Sequence, residues 1–251
     1  MEKKEEIIKK EIKKQTWKPG NMLYPLPAIM VSCARPGEKP NIITLAWAGT
    51  VCSDPVMVSI SVRKERYSYD ILKETGEFVI NLTTDKLAYA TDFCGVRSGR
   101  ELDKFKEMKL TAGKASKVSC PVISESPVNL ECKIVNTLEL GSHTMFIAEV
   151  VAVDVSEEYI NENGRFDLNS TGLMTYSHGE YFTLGKKLGK FGYSVKKEKT
   201  REMKAKPATP NGRQKGSEKT AKTKPEVKTG KQKSTEKNGQ RKSAEKEDRK
   251  R

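Results

Sequence analysis

Between Asn41 and Asp70 the chain reads NIITLAWAGTVCSDPVMVSISVRKERYSYD. Two apolar, β-favouring runs, residues 42–51 and 56–62, flank the turn signal Ser53-Asp54-Pro55. There proline fixes φ, and aspartate or serine can bond nearby backbone. Strands joined by so few residues pair as an antiparallel hairpin, because a parallel pair needs a long crossover. The cluster that follows, Arg63, Lys64, Arg66, Tyr67, Ser68 and Tyr69, is unlike a core. It reads either as an anion cradle or as a solvated hairpin end with ordinary surface charge. The cradle draws on guanidinium forks that match phosphate oxygens in pairs, with hydroxyls as further donors.

The rest of the first 195 residues repeats the β pattern. Strands are expected at 26–33, 77–82, 128–138 and 144–155. The last two are separated by Glu139-Leu140-Gly141-Ser142-His143 and form a second hairpin. Helices are expected at 68–75, stopped by Gly76, at 84–93, and as a short turn at 103–107. Asn161-Glu162-Asn163-Gly164 marks another turn. Many strands with few helices between them give a mainly β chain whose antiparallel sheet closes or curls into a barrel. A parallel βαβ fold would alternate the two.

Both ends differ from this middle. Residues 2–16 place Ile7, Ile8 and Ile12 at helical spacing before Trp17, and Lys18-Pro19-Gly20 ends the pattern. The mixed Glu and Lys suit a strut on the domain or a dimer contact, not a membrane-surface helix. Of the formal net charge of +14, residues 201–251 carry +11, from 18 Lys/Arg against 7 Asp/Glu. No aromatic residue follows Tyr193. Such a segment buries too little apolar surface to offset chain entropy, and disorder is expected. Its charge allows weak, non-specific attraction to nucleic acid, or merely solubilises the chain. The expected division is an N-terminal helix (1–20), a folded domain (21–196) and a Lys-rich tail (197–251).

Several chemistries are excluded. The five cysteines, Cys33, Cys52, Cys94, Cys120 and Cys132, lie far apart with no zinc spacing, and only His143 and His178 could add imidazoles. No metal site is expected. No apolar run approaches the roughly 20 residues of a membrane span, and the charged N-terminus is unlike a signal peptide, so a cytoplasmic location is expected. GxGxxG and GxSxG are absent. Gly185-Lys186-Lys187-Leu188-Gly189-Lys190 fails as a P-loop, since its glycines are four apart and Phe191 stands where Ser or Thr would bind magnesium. The loop Cys94-Gly95-Val96-Arg97-Ser98-Gly99-Arg100 reads as an anion-binding turn or as a mobile surface loop.

From about residue 26 to 195 the chain resembles the flavin reductase-like family of FMN-binding split barrels, especially its flavoredoxin branch. The resemblance rests on Asn41, Thr44, Ala46-Trp47, Ser53-Asp54-Pro55, Ile60-Ser61-Val62-Arg63, Arg66-Tyr67-Ser68 and Gly76-Glu77-Phe78-Val79-Ile80-Asn81. It continues through Thr91-Asp92-Phe93-Cys94-Gly95, Ser98-Gly99-Arg100, Asp103-Lys104-Phe105, Glu131-Cys132, Leu140-Gly141-Ser142-His143 and Tyr176-Ser177-His178-Gly179, ending in Phe191-Gly192-Tyr193.

The resemblance implies a six-stranded antiparallel split barrel with a few flanking helices. It also implies a homodimer holding one FMN per subunit near the interface. By position, Thr44, Leu45, Ala46 and Trp47 would line the isoalloxazine ring, with Asn41 in the same strand. Ser61, Arg63, Tyr67 and Ser68 would face the phosphate, while Asn81, Cys94, Gly95 and Ser98 would form the neighbouring wall. Lys104 would add charge, and His143, on the second hairpin loop, would come near the nicotinamide. Trp47 reads equally as a core residue. Three functions follow: an NAD(P)H-dependent flavin reductase, an electron carrier serving a redox protein partner, or a non-redox flavin-binding module targeted by its basic tail.

Overall fold

A computed structural model describes residues 12–195. Most of the expected N-terminal helix and the expected disordered tail lie outside the described residues. Residues 12–16, the described part of that helix, have no regular structure.

The elements of the first half are strands β1 (Leu26–Pro27), β2 (Ile29–Cys33), β3 (Asn41–Leu45), β4 (Ala48–Ser53) and β5 (Val56–Val62), helix α1 (Tyr67–Thr75) and strand β6 (Glu77–Leu82). Helices α2 (Ala88–Val96) and α3 (Lys104–Glu107) follow, then the short strands β7 (Ala112–Gly113) and β8 (Val122–Ile123). The second half holds β9 (Val128–Leu140), β10 (His143–Val155), β11 (Met174–Ser177) and β12 (Glu180–Thr183). Seven strands form one sheet in the order β3-β2-β6-β9-β10-β5-β4, every neighbouring pair antiparallel. A three-stranded sheet, β1-β11-β12, and the β7-β8 pair stand apart from it. This is the antiparallel split-barrel architecture.

The first apolar run, expected as one strand over 42–51, is two. It breaks at Ala46-Trp47, where Ala48 N–H donates back to Ala46 O at 3.0 Å. Its halves, β3 and β4, lie at opposite edges of the seven-stranded sheet, and Ser61 N–H donates to Trp47 O at 2.8 Å beside the break. The one run therefore spans the gap between the two edges. That accounts for seven strands where the resemblance implies six.

Residues 26–33 also divide, with Leu26–Pro27 joining β11 and Ile29–Cys33 joining the main sheet. Where a helix is expected over 84–93, a single tight turn at Asp85–Leu87 precedes α2, which runs on to Val96. The second hairpin is tighter than expected: His143 opens β10 opposite Leu140 instead of lying in the loop. Helix α1 ends as expected, with Gly76 at φ 67° and its N–H on Leu72 O.

Alternating residues of the strands point inward. Val31, Ile43, Ile60, Phe78 and Phe146 pack with Ile71 and Leu72 of α1 in the main core. A second cluster, including Met30, Ile42, Leu87, Phe105 and Ile123, holds α2 and α3 against β3. Both helices are thereby fixed beside the strand that carries Asn41 and Thr44.

Candidate functional site

The turn after β5 leads directly into α1, and Arg66 N–H closes it on Arg63 O at 3.1 Å. Arg66 is the N-cap of α1 but supplies no side-chain acceptor, so the helix's leading N–H groups have no side-chain cap. At this helix start lies a cavity of about 210 Å³, lined by Asn41, Ile43, Glu65, Arg66, Tyr67, Ser68, Val96, Arg97, Ser98, Gly99, Arg100 and Lys104. Asn41 Nδ2 donates to Ser68 Oγ at 2.8 Å, both side chains buried. Arg100 donates to Glu65 O at 3.0 Å and stands 5.4 Å from the centre of the Tyr67 ring. A Cβ on Gly99 would meet Asn41 Oδ1 at 2.0 Å and Tyr67 Cδ1 at 2.9 Å, so the loop closes on β3 only because it carries glycine there.

Lys104 is the decisive charge. It is 3% exposed, and its Nζ donates to Ile42 O and Cys94 O at 2.7 Å each. Among the described residues no carboxylate pairs with it, nor with Arg66 or Arg100. Burial draws its pKa down to about 8; the Cys94 thiol opposes this and Arg66 adds to it. Buried cations without a counter-ion are costly, and this one lines a cavity with three arginines.

A second cavity, of about 280 Å³, adjoins the first. Ile43, Arg66 and Val96 line both. Its walls are otherwise Ala28, Thr44, Leu45, Ala46, Trp47, Ser61, Arg63, Asp92, Gly95, His143, Tyr176 and Tyr181. Thr44 Oγ1 donates to Thr91 O at 2.5 Å, and a Cβ on Gly95 would sit 3.2 Å from Thr44 Cβ, so β3 and α2 meet closely. The Trp47 and His143 rings lie parallel, 3° apart with centres separated by 6.1 Å. Partial burial, then the nearby Arg63, lowers the pKa of His143 below the ordinary imidazole value. Across the cavity, Tyr181 Oη donates to Asp92 Oδ1 at 3.2 Å; burial, then the Asp92 charge, pushes that phenol up to about 12.

Trp47 and Ser61 also line an apolar groove of about 540 Å³ with Met22, Leu23, Tyr24, Val51 and Met145. Met22, Leu23 and Val51 are exposed there.

The sequence-expected residues divide between these places. Thr44, Leu45, Ala46, Trp47, Gly95 and His143 line the second cavity, and Asn41, Tyr67, Ser68, Ser98 and Lys104 the first. Ser61 and Arg63, expected at the phosphate end, instead border Trp47 and His143. Arg63 is largely exposed and pairs with Glu65 at 3.5 Å.

Asn81 lines neither cavity. It is fully buried, donating to Met30 O and Ser32 Oγ and accepting from Ile123 N–H and Asn129 Nδ2. Cys94 is likewise buried outside both linings, its thiol pushed by burial to about 11. Arg66, Arg97, Arg100, Asp92, Tyr176 and Tyr181 are wall residues that the sequence reading did not assign. Arg66 stands in the basic cluster, Arg97 and Arg100 in the arginine-bearing loop, and Asp92 and Tyr176 within the family-like pattern, each without a role of its own there; of the six, Tyr181 alone left no signal.

A family model of the flavin reductase-like domain matches residues 22–185. The chain belongs to this family. It is 31% identical to flavoredoxin of Desulfovibrio vulgaris (Miyazaki F), with a TM-score of 0.68 covering 73% of this chain and all of that one. Against flavoredoxin from Methanosarcina acetivorans the identity is 27% and the TM-score 0.66, covering 74% of this chain and all of the other. An uncharacterised protein of Archaeoglobus fulgidus is 32% identical over 161 residues, 64% of this chain and 89% of the relative. Among the described residues no helix of this flavin reductase-like protein is long and apolar enough to cross a membrane.

Proposed function

We propose that this protein binds FMN across the two adjoining cavities and acts as an NAD(P)H-dependent flavin reductase. The observation that carries the reading is the buried Lys104, without a carboxylate partner among the described residues, in a cavity that also holds three arginines and two serine hydroxyls. A flat, largely apolar ring with a dianionic phosphate at one end needs a wall of one kind joined to a socket of the other. The residues present fit that need. Ser68, Ser98, Arg66, Arg97, Arg100 and Lys104 would hold the phosphate, with the uncapped start of α1 adding backbone donors. Leu45, Ala46 and Trp47 would line the ring with Thr44 and Gly95, and Arg66 stands at the junction.

When bound, FMN supplies the redox chemistry, accepting a hydride at N5. The chain's own part is to orient the ring, exclude water from one face and leave the other reachable. His143, its pKa lowered by burial and its ring bonded to Ser142 Oγ at 2.9 Å, would offer the incoming nicotinamide a flat neighbour. No proton-transfer triad is needed for that step. A second copy of the chain on the groove beside Trp47 would complete the site as a homodimer, which light scattering of the purified protein tests.

The likeness to two flavoredoxins favours a second reading, an electron carrier that holds FMN and exchanges electrons with a redox protein. One preparation separates them. A yellow protein that releases FMN on heating and oxidises NADH or NADPH supports the reductase. A yellow protein reduced by ferredoxin but inert to both nicotinamides supports the carrier. A colourless protein with no affinity for added FMN overturns both.

A further inference from the structure

Glu131 belongs to the Glu131-Cys132 pair of the family-like pattern, yet it lies outside both cavities. It is fully buried on β9. Its carboxylate accepts from Ser116 N–H at 2.7 Å, Ser116 Oγ at 2.8 Å, Lys117 N–H at 2.5 Å and Val118 N–H at 3.1 Å. Three successive backbone donors thus hold the segment between β7 and β8 against the sheet. Four donors converging on one carboxyl group favour its ionised form, in which both oxygens accept and neither carries a proton.

The register of the long hairpin supplies a second carboxyl group. Ala152 stands opposite Glu131, and Asp154 opposite Asn129. Directly paired residues share a face, so Asp154 is the diagonal neighbour of Glu131. That face is turned toward β8 as well, since Asn129 Nδ2 donates to Ile123 O at 3.1 Å. Among the described residues, Asp154 Oδ2 is the one buried side-chain oxygen or nitrogen with no hydrogen-bond partner. An unpaired oxygen beside a buried carboxylate is satisfied when it carries a proton and donates it to Glu131.

We propose that Glu131 and Asp154 form a carboxylate–carboxylic acid pair that holds one proton between them, and that loss of this proton releases the 114–118 segment. The other charged or titratable groups around the pair are few. Glu77 of β6 accepts from Ser119 N–H at 2.8 Å and pairs with Lys133 at 3.5 Å. Glu149 stands opposite Lys133, the segment's own Lys114 and Lys117 are exposed, and the Cys120 thiol is buried and held protonated by that burial. None of them is placed to replace the shared proton.

The two carboxyl groups shift in opposite directions. Burial opposes ionisation of Glu131, but the donors from Ser116 and Lys117 hold its pKa below the ordinary carboxylate range. Burial, then the Glu131 charge, raises that of Asp154. Glu131 therefore favours the clasped state above its own lowered pKa, and Asp154 favours it below its raised one. Between the two the clasp is tightest. As pH rises from the ordinary aspartate range to the raised Asp154 midpoint this contribution is lost, and above it two like charges face each other.

Amide hydrogen exchange read residue by residue tests this, at several pH values from about 4 to about 9 and corrected for the intrinsic rate. Protection at Ser116, Lys117 and Val118 is expected to fall by up to about tenfold per pH unit between the ordinary carboxylate range and the raised Asp154 midpoint and to level off above it, while the β9–β10 ladder amides stay level. Asp154→Asn keeps a donor toward Glu131 and removes the proton, so its protection should not vary with pH. The Asp154 carboxyl carbon, followed by NMR, should titrate above the exposed aspartates. Wild-type protection independent of pH, an Asn variant that follows the wild type, or an Asp154 that ionises with the exposed aspartates would each overturn the proposal.

Discussion

The two adjoining cavities are built on different principles. The one at the start of α1 is made of locked parts: Lys104 bonded to two carbonyls, Asn41 bonded to Ser68, and Gly99 pressed against both β3 and Tyr67. Its neighbour is walled by Trp47, His143, Tyr176 and Tyr181, brought from three separate pieces of sheet and partly open to solvent. In the first, charge is fixed in place before any anion arrives, so affinity and selectivity for phosphate should reside there. In the second, flat surfaces leave room for exchange, as a site for a ring and an incoming reductant requires. Substitutions in the first should therefore cost more.

Replacing Lys104 with Met should give the largest effect. It removes a charge-assisted contact of about 1.5–3 kcal/mol, so FMN should bind roughly ten- to a hundredfold more weakly while riboflavin is unaffected. Fluorescence titration with both flavins measures the contrast, and equal losses for the two would erase the division of labour. Gly99→Ala should come next, costing roughly 1–3 kcal/mol of stability in a denaturant titration because the new methyl overlaps Asn41 and Tyr67. Gly49→Ala is its control: nothing lies within 4 Å of the new Cβ, and stability should change by less than about 0.5 kcal/mol.

The pH dependence should be of similar or smaller size. With Lys104 drawn down to about 8, FMN affinity should fall as pH rises through that value, and riboflavin affinity should not. Stability of the flavin-free protein should move the other way. A lysine whose folded pKa lies below its ordinary value of 10.5 binds more protons when unfolded, so this group adds stability as pH rises between the two. Thermal melts with and without FMN across that range would expose a failure of either sign. Arg63→Ala should have the smallest effect, under about threefold on FMN affinity, since Arg63 borders the ring-shaped cavity and is already paired with Glu65. A loss as large as that of Lys104→Met would show that Arg63 turns to the phosphate.

The contrast also explains how much could be read from the sequence. The strands at 56–62 and 77–82, the turn at Ser53-Asp54-Pro55 and the α1 stop at Gly76 are local signals of alternation, propensity and turn chemistry, and they read correctly, whereas the runs 26–33 and 42–51 each divide in two. The basic cluster was visible as a cluster, but which arginine serves which cavity depends on the turn between Arg63 and Arg66. One residue of difference there sends a side chain to another face. Asn81 looked like a wall residue because its neighbours in the pattern were; in space it satisfies the buried polar groups of three strands. Tyr181 and Asp92 are 89 positions apart, and only the β11–β12 hairpin, too short to stand out, brings them together. The break at Ala46-Trp47 was hidden because both halves of the run are equally apolar.

That break bears on how the barrel assembles. Every ladder between β2, β6, β9, β10 and β5 joins segments distant in the chain, apart from the β9–β10 hairpin, and each such pairing must be found against loop-closure entropy. The seam, like the β2–β3, β4–β5 and β9–β10 hairpins, is nearly free of that search, because Leu45 and Ala48 are tethered by two residues. Closure is then a late event of low entropic cost, and changes at Ala46 or Trp47 should accelerate unfolding while leaving the folding rate almost untouched.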